Sequence, residues 1–155
     1  MASRSRTLAD AIVALILAWG SLPAGVGVAR CRSVTHLLND LPASDPAVIA
    51  VISSEITDQT TRGDVAEDIT IGIVVIANCP SLAVADSDAW DDFTELLRDH
   101  LRTSTTFRNI TVGSQSFARK AVSTSVVCDA QMMDQSELFV SVTEAVYYTF
   151  AGART

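Results

Sequence analysis

The groups in this chain that could do acid–base or nucleophilic work come mostly as adjacent pairs. Asp91/Asp92 and Glu67/Asp68 are the carboxylate pairs that a general acid and base would need. "DAWDDFTELLRDHLR", residues 88–102, has helical spacing, and neighbours on a helix point apart. Asp91 and Asp92 therefore share no substrate and read as charge at a helix start. Glu67 and Asp68 open a strand, which sends them to opposite faces. Asp99 and His100 diverge in the same way, and no serine or cysteine nucleophile is signposted beside them. His100 reads as a surface group suited to a helix C-terminus, and His36 as exposed or backbone-satisfied at a strand exit. Cys31, Cys79 and Cys128 lack CxxC spacing and lie far in sequence from both histidines. Buried free thiols in a reducing compartment are the expectation, not zinc or a disulfide framework. "GVG" at 25–27 lacks the third glycine and following helix of a dinucleotide fingerprint. Arg62-Gly63-Asp64 matches an integrin-type tripeptide and reads as chance. The expectation is no enzyme, no catalytic residue, no cofactor and no metal.

Charge narrows the partners. The 155 residues include 11 basic and 18 acidic side chains, for a formal net charge of −7. Lys120 is the sole lysine and the arginines are scattered along the sequence. Phosphate backbones need clustered Lys and Arg, so sequence-specific nucleic acid is not expected as a partner. A hydrophobic content of 48% is ample for a core, and the length fits a single domain over 1–155. Its flexible ends are expected near 1–6 and 151–155.

The opening stretch "SRSRTLADAIVALILAWG" has the basic start and apolar run of a signal peptide. Three features oppose that reading. Asp10 interrupts the run, and Thr7 stands three residues before it as an approximate capping box. Leu8, Ile12, Leu15 and Trp19 recur at helical spacing with Ile16 alongside. The uninterrupted apolar run is also far shorter than the roughly 20 residues a bilayer span requires, so no membrane partner is expected. The sequence predicts a folded helix over 7–19, ended by Gly20 and Pro23.

Strands are predicted at 24–34, 47–56, 69–79, 108–114, 121–130 and 137–150. The near-continuous apolar run "ITIGIVVIANC" implies a central strand covered on both faces. In the last strand Val140, Val142, Val146, Tyr148 and Phe150 share one face. "TDQTTRGDVAED", 57–68, reads as a loop or exposed hairpin tip. Helix 88–102 is expected to bury Trp90, Phe93, Leu97 and Leu101, with Leu96 beside that stripe. The predicted class is α+β, a largely antiparallel sheet with two packed helices in the order αβββαβββ.

The leading helix "LADAIVALILAW" precedes the strand "VGVARCRSV". The middle part, "LPASDPAVIAVISSEITDQTTRGDVAEDITIGIVVIA", sends a valine-rich strand into a polar excursion containing Arg62. An isoleucine/valine strand then returns. The acidic helix "SDAWDDFTELLRDHL" and the closing strand "FVSVTEAVYYTF" complete the order. In this layout residues 7–150 resemble the tail-terminator (tail-completion) family of long-tailed bacteriophages, and the resemblance implies a structural virion protein in the tail or neck, assembled in the host cytoplasm as a homo-oligomeric ring, a hexamer. It would end tube polymerisation and join the tail tube protein to the head connector. The family brings no catalytic residues. A neck or head-completion adaptor, or the tube protein itself, is the nearest alternative, and a secreted ligand-binding domain is one of another class.

Within that reading the 57–68 segment is the expected contact surface. Its charges would be stranded if buried within their own domain. It should therefore project, with Arg62 pairing across a boundary and Asp58, Asp64 and Glu67 beside it.

Overall fold

A computed structural model describes residues 3–32, 47–60, 64–79 and 84–153. The first helix, α1 (Arg4–Leu17), begins three residues earlier than predicted because Ser3 caps it. The Ser3 hydroxyl accepts from the Arg6 amide at 3.3 Å, satisfying one of the helix's orphan donors. The capping box expected at Thr7 and Asp10 is not used, since Thr7 lies inside the helix and donates to the Ser3 carbonyl at 3.1 Å. Leu8, Ala9, Ile12 and Ile16 form the buried stripe, while Leu15 and Trp19 are half-buried.

The strands are β1 (Gly27–Cys31), β2 (Ala47–Thr60), β3 (Asp64–Asn78), β4 (Asn109–Val112), β5 (Gln115–Val126) and β6 (Leu138–Ala153). They form one curled sheet in the spatial order β1-β2-β3-β6-β5-β4. β1 runs parallel to β2, and every other pairing is antiparallel. Gly25, at φ 81°, provides the left-handed turn into β1 that a side chain would resist.

The remaining helices are α2 (Val84–Thr103), α3 (Thr105–Arg108) and α4 (Ala130–Ser136). The expected order αβββαβββ is therefore overturned. Among the described residues the chain runs αβββααββαβ, with four helices where two were predicted. α3 forms after Ser104, whose extended backbone breaks the helix away from α2. The strand predicted at 121–130 stops at Val126, and Asp129 then caps α4 by accepting from the Met132 amide at 3.1 Å. Glu137, in the left-handed region at φ 54°, ends α4 and turns the chain into β6.

Two apolar layers result. The concave face of the sheet carries Ile69, Ile71, Ile73 and Val75 of β3, packed with the buried stripes of α1 and α2. α1 touches β1, β2 and β4, so it lies between the two edges of the curled sheet. Among the described residues the convex face is covered at one end only. There Ala50, Val74, Ile76 and Val140 form a second cluster, and Met132 of α4 packs on it. This explains why β3 reads as apolar on both faces.

β6 departs from the plainest reading of its alternation. Its even-numbered stripe lies on the convex face, leaving Tyr148 and Phe150 exposed. The helix-covered face carries Phe139, Ser141, Thr143, Ala145, Tyr147 and Thr149, all buried. Three of their hydroxyls are satisfied locally. Ser141 donates to the Val126 carbonyl at 3.1 Å, Thr149 to Ser116 at 2.8 Å, and Tyr147 to Phe107 at 2.9 Å.

Candidate functional site

The polar excursion between β2 and β3 is mostly strand. Both arms continue in register from Ile56↔Ile69 to Thr60↔Val65, leaving 61–63 between them. Arg62 therefore lies outside the described residues. Asp58 is exposed and stands opposite Glu67 in the ladder, and Asp64 is exposed at the start of β3. Glu67 does not face outward as expected. Its carboxylate accepts from Arg4 at 2.7 Å, and the same guanidinium donates to the Ala151 carbonyl at 2.7 Å. Helix α1 is thus tied to both β3 and β6.

Asp68 takes the opposite face, as a strand requires. It accepts from Lys120 at 2.6 Å and from Gln59 at 2.5 Å, while its other oxygen is buried without a partner among the described residues. Lys120 follows Ala118 on the convex face by strand alternation, where the β5–β6 register shifts between Arg119 and Ala121. Arg119 instead faces the concave side and donates to the Leu101 carbonyl, close to the C-terminal end of α2. The Glu67/Asp68 pair is therefore split between two ion pairs on two faces, an arrangement that locks strands and helix together.

The remaining candidates separate as well. α2 begins at Val84 with Asp86 in its first turn, so Asp91 and Asp92 sit further along the helix than the charge at its start predicted for them. Both are exposed. Asp99 lies 3.9 Å from Arg102, whereas His100 turns inward. The imidazole stacks on Trp19 at 4.9 Å and meets the edge of Phe107 at 5.4 Å. Burial holds its pKa below the ordinary value, so the surface role expected for His100 is corrected. His36 lies outside the described residues.

The three cysteines are free, but only Cys79 is fully buried. Cys31 is half-buried and Cys128 exposed, so the expectation of three buried thiols is corrected too. Burial is the main cause raising all three thiol pKa values, leaving no activated thiolate. No group of His, Cys, Asp or Glu among the described residues could hold a metal ion. No described helix is long and apolar enough to cross a membrane.

Two surface features were not anticipated. On the convex face, Tyr148 and Phe150 line an open groove with Ala118, Asn109, Thr111 and Ser116. Phe150 is 51% exposed. The spacing of Tyr148 and Phe150 was visible in sequence, but which face the helices cover was not. The second feature is a groove of about 260 Å³ beside β1, lined by Arg6, Arg30 and Arg32 together with Ser3, Ser5 and Ser53. Arg6 is far in sequence from Arg30 and Arg32, and the two-residue spacing of the latter pair across the end of β1 was the only local sign.

No family model matches the chain, and no curated protein sequence matches it.

Proposed function

We propose that the protein is a ring-forming structural component of a long-tailed phage virion, of the tail-terminator kind. In this reading it works as a homo-hexamer at the head-proximal end of the tail tube, between tube protein and head connector. The observation that carries the reading is the open sheet. Its edges, β1 and β4, have no further strand beside them among the described residues. Its convex face presents Tyr148 and Phe150 to solvent. Unpaired edges and an exposed aromatic patch favour contact with other protein chains over small-molecule chemistry. The acidic balance suits a subunit beside a DNA passage, because it repels the phosphate backbone instead of trapping it. The layout of helix, strands, acidic helix and closing strand adds the likeness to terminators.

Light scattering after size exclusion, followed by negative-stain imaging of the purified protein, tests this. A closed ring is expected. A strictly monomeric protein at every accessible concentration overturns the reading, and rings that bind a head connector but never a tail tube move it to the neck adaptor.

A further inference from the structure

We infer that the subunits join head to tail, with the arginine groove beside β1 receiving the carboxylate stripe of α2 from a second copy. This inference rests on the ring reading above and names the surfaces that would make it.

The charges of this acidic chain are segregated in space. The groove lined by Arg6, Arg30 and Arg32 has no carboxylate among its lining residues. Asp10 lies beside it and accepts from the Arg30 Nε at 2.6 Å, a contact made through that one nitrogen. Arg6 and Arg32 form no ion pair among the described residues, and both are exposed. Ser3, Ser5 and Ser53 add short hydroxyl groups at the rim. Guanidinium groups match carboxylates through paired N–H donors, so this surface selects carboxylates spaced along a rigid element.

α2 presents such an element. At about 100° per residue, Asp88, Asp91, Asp92, Glu95 and Asp99 fall within an arc of about 100° on one face. That face is opposite the buried Phe93, Leu97 and Leu101, and all five carboxylates are exposed. Between Arg62 and Arg98 the sequence holds no lysine or arginine. Asp88, Asp91, Asp92 and Glu95 have no cation partner among the described residues. From Asp88 to Asp99 the stripe extends about 16 Å along the helix. Such a run of like charge weakens its own helix unless an opposite surface meets it.

The two surfaces also lie in different parts of the molecule. The groove is formed by α1, β1 and β2, whereas α2 packs on β5 and β6, across the strand order. Complementary patches at different sites on one chain make a heterologous contact, which repeats from copy to copy and closes into a ring when the rotation permits. Opposed charges set the register and speed the encounter, and salt weakens both effects.

The test uses the full chain at matched concentration, with mass by light scattering and the fold checked by circular dichroism. Reversing the groove with Arg6→Glu and Arg32→Glu should shift the protein to monomer. Reversing the stripe with Asp91→Arg and Asp92→Arg should do the same. All four positions are exposed, so the fold should hold in each variant. An equimolar mixture of the two variants should recover assembly, because each then offers the charge that the other lacks. Raising salt should dissociate the wild type and the mixture alike. If either reversed variant assembles as wild type does, or the mixture stays monomeric, the arginine–carboxylate contact is overturned and the ring reading survives on other surfaces. If wild type itself never assembles, the ring reading fails, and this inference fails with it.

Discussion

Truncating Ile12 is the most direct test of how α1 holds the fold together. Its side chain is 0% exposed, inside the main core, on a helix lying between the two edges of the sheet. Ile12→Ala removes about three carbons, each worth about 0.8 kcal/mol on transfer from water, or about 2.4 kcal/mol in all. The cavity left behind adds to this, and together they bring the expected loss to about 3–4 kcal/mol. Against a total of roughly 5–15 kcal/mol for a domain, that is a large fraction. Leu17, on the same helix but 54% exposed, is the control. Leu17→Ala should cost under about 0.5 kcal/mol. The half-buried Leu15 should fall between them, at about 1–2 kcal/mol. Urea unfolding at fixed protein concentration, followed by far-UV circular dichroism and tryptophan fluorescence, reads all three. Trp19, stacked on Phe93 at 6.0 Å, reports whether the helix end stays docked. If Ile12→Ala loses no more stability than Leu17→Ala, α1 does not fill the core and the packing argument is wrong.

Other groups give sharper spectroscopic tests. Tyr147→Phe should cost about 1 kcal/mol, since it deletes the buried hydroxyl that satisfies the Phe107 carbonyl. Burial raises the pKa of Tyr147, so above about pH 10 the unfolded chain loses this proton first and stability falls as pH rises. Ultraviolet titration should show one tyrosine still protonated at a pH where the unfolded chain has ionised. His100 is shifted the other way. Its pKa is lowered by burial, so stability is full above the ordinary value near 6.5 and declines as pH drops below it. Thermal melts between about pH 8 and 5.5 should show that decline, and His100→Phe should flatten it. Three free thiols should be counted after denaturation, with Cys128 reacting first in the native protein and Cys79 last. A count of one would mean a disulfide.

Where a pattern is set by a single element, it was legible in the sequence. The stripe of Phe93, Leu97 and Leu101 on α2 follows from helical spacing alone, and the two-sided burial of β3 follows from its unbroken apolar run. The arms of the β2–β3 hairpin were not legible. Their pairing is a backbone matter, and residues such as Thr57, Asp58, Gln59 and Glu67 carry no core-facing alternation. α4 was missed because seven residues beside a strand give too short a window for periodicity. Its capping Asp129 was the one local sign. The partners of Glu67 and the convergence of Arg6 with Arg30 and Arg32 depend on tertiary placement, which no local spacing encodes. The inward turn of His100 depends on Trp19, itself far away in sequence.

The position of β6 governs how the chain can be made. It is the last of the described strands to be made, yet it sits between β3 and β5 in the sheet. Until it emerges, the nascent chain holds two separate fragments, β1-β2-β3 and the β4–β5 hairpin, with the valine- and isoleucine-rich flank of β3 unpaired. Even the β3–β6 pair closest in sequence joins Asn78 to Leu138, with three described helices and a hairpin intervening. Closing so long a loop before any contact rewards it slows folding. The sheet is therefore completed only once β6 has been made. A waiting, sticky β3 flank makes the interval one in which a chaperone or low temperature would matter most to yield.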